Sequence, residues 1–257
     1  MRGLMRGTIV VAVVAGLSQC GLGAIEAGRT IEDTKSMSAA DLEKAGDACR
    51  AQKDYQGAIQ YFDEALHKDK KNAVLYNKLG MAELTSGDLQ SARADFAKAI
   101  KTDKKYADAF NNLGAVFFFQ NSFSGAAKYF RKAVALDETS APFHINLGAA
   151  WFSENKLDPA MNEYSIALNL DPLALEENVR VGVTAQVSNP EERAKFYYLL
   201  AKIQAKRGDV PAVLSCLRKA KDTGYRNLAS VYKDEEFSQL WNNPGLAEIV
   251  PPPAARR

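Results

Sequence analysis

The residues best suited to chemistry in this 257-residue chain are amides and aromatic rings rather than acids, bases or nucleophiles. Asn112 and Asn146 each stand directly before a Leu–Gly pair, and Asn77 and Asn111 fall close to them in the pattern. An asparagine side chain offers both a donor and an acceptor, so a file of them can pair with the backbone of an extended peptide. Asparagine in this setting also serves structure, and the residues alone leave both roles open. Phe117, Phe118 and Phe119 are consecutive, and three neighbours on a helix cannot all point into one core stripe. An apolar patch beside polar asparagines is what a peptide with apolar side chains would need, although each ring could equally pack on a neighbouring helix.

Reaction chemistry is thinly represented. The two histidines, His67 and His144, lack neighbouring ligand residues, and His144 occupies a helical place held elsewhere by Tyr76 and Phe110. That pattern reads as a packed histidine, not a metal ligand or general base. There is no Gly-rich phosphate loop, no C-x-x-C pair and no G-x-S-x-G turn. The sequence therefore predicts no catalytic residue, no cofactor and no metal. Cys49 and Cys216 lie too far apart along the chain's repeats to be expected within disulfide reach. The basic runs His67–Asn72 and Lys101–Tyr106 end helices, where lysines complement the helix dipole. With a net charge of +2, the chain offers no broad basic footprint for nucleic acid.

What must position these residues is a repeat. Ala58, Ala92, Ala126 and Ala160 recur every 34 residues, and Gly46, Gly80, Gly114 and Gly148 keep the same step. A fixed period of this size marks stacked helix–turn–helix units. Four such units follow without insertion, over 39–72, 73–106, 107–140 and 141–174. In the third, Phe110, Leu113, Gly114 and Phe117 take helical spacing, followed by Ala126, Phe130 and Ala133. These form helices A and B of an antiparallel pair, with Gly114 expected opposite Ala126. A glycine inside a helix costs about 1 kcal/mol against alanine, so its recurrence points to close approach of the two helices. Gly87, Asn121 and Asn155 stand where the chain must turn.

The pattern Tyr76/Leu79/Gly80/Ala92/Phe96/Ala99 and its counterparts one period away resemble the tetratricopeptide repeat. A weaker fifth unit over 194–227 carries Leu200, Ala201, Gly208, Asp209, Leu217 and Ala220. The resemblance implies an all-α fold: a right-handed α-solenoid with C-terminal capping helices, presenting a concave groove to a protein or extended peptide. Helical geometry places Asn77, Met81, Asn111, Asn112, Phe118, Phe119, Asn146, Ala149 and Phe152 toward that groove. The clamp by which chaperone adaptors of this family grip a C-terminal carboxylate is disfavoured, because the first repeat offers Glu43 and Asp47 where it needs Lys and Asn.

Outside the repeats, Arg2 and Arg6 precede an uncharged run from Thr8 to Leu17, too short to span a bilayer but suited to a signal peptide. A leader over 1–24 is expected, with a flexible linker over 25–38. Leu17–Ser18–Gln19–Cys20 resembles a bacterial lipobox in which Cys20 is lipidated, although Gln19 departs from the usual small residue. Lipidation at Cys20 and ordinary cleavage both remain open, as does an N-terminal helix packed on the first repeat. The expected location is the periplasm or the outer membrane, with membrane contact only through a lipid anchor. By resemblance, lipoproteins of this fold serve pilus, secretin or cell-wall machineries. An alternation of Val179, Val181, Val183 and Val187 with polar residues predicts an extended connector over 175–193. A cap over 228–250 and a disordered tail over 251–257 complete the chain. The function expected is a non-catalytic scaffold in envelope assembly. The alternatives are a cytoplasmic adaptor or a carrier of a small apolar or glycan ligand.

Overall fold

The computed structural model describes residues 34–175 and 190–253. Helices come in consecutive pairs: α1 (Ala39–Ala51) with α2 (Tyr55–Lys68), α3 (Ala73–Ser86) with α4 (Leu89–Thr102), α5 (Ala107–Phe119) with α6 (Phe123–Leu136), and α7 (Ala141–Ser153) with α8 (Leu157–Leu170). A fifth pair, α9 (Pro190–Arg207) and α10 (Val210–Asp222), follows. Two 3₁₀ turns (Leu228–Tyr232 and Glu235–Leu240) and α11 (Pro244–Ile249) end it. Of the extended connector expected over 175–193, residues 176–189 lie outside the described residues, and its last four, 190–193, instead open α9. The fold is an all-α solenoid in which each helix packs mainly on its chain neighbours.

Local chemistry starts and stops these helices. Side chains of Ser38, Asp54, Asn72 and Asp88 accept the first free backbone N–H groups of α1 to α4. Between paired helices the chain turns through a left-handed residue at one recurring place: Lys53, Gly87, Asn121, Asn155 and then Gly208, with φ between 57° and 95°. Asn72 also donates to Asp69 Oδ2 at 3.0 Å, which fixes the turn entering α3. Replacing it with alanine should lower unfolding free energy by about 1 kcal/mol, read as a lower urea midpoint.

The recurrent glycine finds its reason in an aromatic ring. A Cβ built on Gly114 would stand 2.6 Å from Phe130, and the same holds for Gly46 with Phe62, Gly80 with Phe96 and Gly148 with Tyr164 at 2.6–2.9 Å. All four rings are buried. In each case a ring sixteen residues on, carried by helix B, lies across the glycine. In the fifth pair the same two places hold Ala201 and Leu217, both fully buried. There the smaller leucine leaves room for a Cβ.

The ends are closed in different ways. Residues 34–37, within the stretch expected as linker, are held by Lys68, whose Nζ donates to the carbonyls of Lys35 and Met37 at 2.9 and 2.5 Å. At the other end Val231, Phe237, Leu240, Leu246 and Ile249 cover the apolar face of α9 and α10. Tyr198 anchors them through its hydroxyl, 2.7 Å from both Ser230 Oγ and Asp234 Oδ2. Tyr232 donates to the Val250 carbonyl at 2.8 Å.

Candidate functional site

Consecutive A helices approach one another closely (α3 with α5, α5 with α7) while the B helices meet the next repeat through its A helix. The row of A helices is therefore the tighter, inner side of the stack, and it carries the expected groove residues.

The structure joins the asparagines to one another. Asn146 Nδ2 donates to Asn111 Oδ1 at 2.8 Å, Asn111 Nδ2 to Asn112 Oδ1 at 3.4 Å, and Asn112 Nδ2 to Asn77 Oδ1 at 2.9 Å. Asn77 Nδ2 ends the chain on the Tyr106 hydroxyl at 3.3 Å and the Met81 sulfur at 3.7 Å. All four side chains are buried. The amides thus form a ladder that ties the second, third and fourth repeats together. Most of their bonding capacity is used internally, and Asn146 Oδ1 is the one amide oxygen of the ladder without a partner among the described residues.

The ladder continues into the first repeat with charge. Lys78, one period before Asn112, places its Nζ 2.6 Å from both Glu43 and Asp47. Burial pulls the Lys78 ammonium down, but hydrogen bonds and charge from Asp47 and Glu43 outweigh it, so it stays protonated above its ordinary range. Glu43–Lys78, Asn77–Asn112 and Asn111–Asn146 are each separated by 35 residues. One place on each A helix therefore pairs with the next place on the following A helix. With Arg50 also 3.3 Å from Asp47 Oδ1, two cations of the chain balance the acidic pair that disfavours a carboxylate ligand. Sequence reasoning missed Lys78 and Tyr106 as members of this row.

The apolar candidates divide. Phe152 and Ala149 are buried; Phe152 packs edge-on against Phe196 of α9, with ring centroids 5.8 Å apart. Phe118 and Phe119 are half-buried, and Phe118 meets Phe123 edge-on at 5.1 Å. Met81 is also half-buried, with the Arg50 guanidinium 3.9 Å from its sulfur. What remains accessible among the expected residues is Met81, Phe118 and Phe119, beside the amide ladder. Cys20 lies outside the described residues.

His144 is buried with both ring nitrogens engaged, Nδ1 with Glu163 Oε2 at 2.7 Å and Nε2 with the Glu138 carbonyl at 3.1 Å. It bridges α7, α8 and the preceding loop, a packing role. Cys49 and Cys216 are free thiols, and burial raises both, Cys216 to about 11, which makes them poor nucleophiles.

Residues 29–73 and 77–141 match the family model of the tetratricopeptide repeat. No curated protein matches the chain. Among solved structures it is similar to MamA (20% identity, 80% of this chain and 97% of that one, TM-score 0.52). It is also similar to PilF of Pseudomonas aeruginosa (17% identity, 79% and 81%, TM-score 0.55). A third is YrrB, a protein with an unusual peptide-binding site (21% identity, 79% and 94%, TM-score 0.50). At such identities the likeness is one of fold. The 34-residue register, the paired helices and the matching family model show that the chain carries tetratricopeptide repeats, a fold that supports a protein-interaction scaffold.

Proposed function

We propose that the chain is an exported scaffold that holds an extended peptide or protein segment along its A-helix side, in the assembly of a bacterial envelope complex. The observation that carries this reading is the strip of half-buried apolar side chains, Met81, Phe118 and Phe119, beside the amide ladder. Ordering by the ladder keeps the strip preorganised, which lowers the cost of binding. Its apolar character selects a partner segment with apolar side chains, and the neutralised first repeat gives such a segment no like-charge barrier. Export rests on Arg2, Arg6 and the uncharged run to Leu17, with Cys20 as the residue that lipidation would modify.

Photo-crosslinking in the native cell tests the groove. A probe at Phe118 should give a discrete protein adduct that a probe at the exposed Lys128 on α6 does not. Equal adducts at both positions would overturn the assignment. The mass of the mature N-terminus tests export separately: a chain that still begins at Met1 sinks it.

A further inference from the structure

On the B-helix side, α2 and α4 leave a cleft of about 380 Å³ whose base is formed by α3. Glu83 lies at that base. It is 8% exposed, and its Oε2 has no hydrogen-bond partner among the described residues. Asp95, 5% exposed, stands beside it on α4. The nearest cation is already engaged: Lys98 Nζ lies 2.7 Å from Asp95 Oδ1 and 5.5 Å from the Tyr76 ring centroid. Asp63, His67 and Lys70 face the cleft from the α2 side, and Asp88 adds negative charge from the turn before α4. Two buried carboxyls thus share one ammonium.

The repeat supplies its own comparison. Glu83's place is taken by Phe117 in the third repeat and Trp151 in the fourth. In both, a guanidinium from the preceding B helix covers the side chain: Arg93 lies 5.0 Å from the Phe117 ring centroid and Arg131 5.3 Å from that of Trp151. One and two periods earlier, their places are held by Ile59 and Asp63 on α2. The first of the three clefts therefore has the acidic base and, among the described residues, no guanidinium of the chain's own.

We propose that this cleft receives an arginine side chain of a partner protein, whose guanidinium takes the place that Arg93 and Arg131 fill in the next two repeats. Arginine fits better than lysine or a simple cation. Its planar, weakly hydrated head tolerates the apolar rim of Ile59, Leu66 and Leu79 while donating to a carboxylate. A metal ion fits poorly, because among the described residues no three His, Cys, Asp or Glu side chains come together to hold one. This site lies on the side opposite the A-helix groove and stands independently of it.

Binding is coupled to a proton. Burial first, and then the charge of Asp95, pushes the Glu83 carboxyl up from 4.5 to about 8. A guanidinium must displace that proton, so affinity should rise about tenfold per pH unit from pH 6 to 7 and level off above 8. Carboxyl-carbon NMR of the intact chain, titrated with methylguanidinium against NaCl at matched ionic strength, reads this directly. Saturable movement of the Glu83 resonance with that pH dependence is the expected result. Ile59→Arg, which supplies the guanidinium internally, should abolish it; in Glu83→Gln, followed at the neighbouring Asp95 carboxyl, the pH-dependent response to methylguanidinium should likewise be lost. The latter variant should fold well: the raised carboxyl makes the parent chain lose stability as pH rises from 4.5 to 8, a loss the amide does not carry. An acetylated, amidated arginine peptide should bind at least tenfold tighter than methylguanidinium. Movement that salt alone reproduces, or that survives Ile59→Arg, overturns the site. A peptide no tighter than methylguanidinium overturns its assignment to a protein partner.

Discussion

Asn112→Ala should be the most damaging single change on the A-helix side, lowering unfolding free energy by about 2–4 kcal/mol, at roughly 1–3 kcal/mol for each buried polar group left unmade. Truncation strands Asn77 Oδ1, which now accepts from Asn112 at 2.9 Å, and Asn111 Nδ2, which donates to it at 3.4 Å. The second bond is long and contributes less. Water cannot easily replace either, because all three amides are buried. The shape of the transition should change as well as its midpoint. A stacked-repeat protein unfolds as one unit only while the interfaces couple its repeats. Asn112 belongs to the interface between the second and third repeats, so its loss should broaden the urea transition as the first two repeats separate from the rest. Asn72→Ala, which touches only the short turn between α2 and α3 and no side chain packed between repeats, should move the midpoint without that broadening. A sharp transition in Asn112→Ala would show that the ladder does not couple the repeats.

The ladder marks the limit of what the sequence made legible. The 34-residue step shows within-repeat geometry directly, because each unit must bury the same faces: helix pairs, turn residues at Asn121 and Asn155, and the core rings all follow from it. Contacts between repeats join unlike positions, 35 residues apart, so no column of identical residues reveals them. Asn77 and Asn112 occupy neighbouring columns, and the pairing appears only once both helices are laid side by side. The same reason hid Lys78 between Glu43 and Asp47. Phe152 was misplaced toward a groove because the fifth pair, with its altered small residue, obscured Phe196 as its packing partner. Glu83 escaped notice because its column is mixed, with Cys49, Glu83, Phe117 and Trp151, so no rule exists from which it could stand out.

Gly114→Ala should destabilise by about 2 kcal/mol, the middle of the range for forcing an extra methyl into a packed core. Its Cβ would meet Phe130 Cδ1 at 2.6 Å and Cε1 at 2.7 Å, distances no side chain tolerates, and the ring is too buried to swing away. α5 and α6 must then separate. The intrinsic gain of alanine over glycine in a helix, about 1 kcal/mol, offsets only part of the strain. The fifth pair indicates the cure, since Ala201 and Leu217 occupy these two places with no exposed surface. In a Phe130→Leu background the clash is gone and the helix-forming gain remains, so Gly114→Ala should become neutral or stabilising. A double-mutant cycle in urea should give a favourable coupling of about 2–3 kcal/mol, at the upper end for residues in direct contact. Additive effects would mean that the glycine answers to something other than the ring. Phe130→Leu alone should cost about 1–2 kcal/mol through the space it opens, so the double variant should be at least as stable as either single one. Because both residues belong to one repeat, all three variants should shift the midpoint and leave the steepness of unfolding unchanged, the opposite of the Asn112 signature.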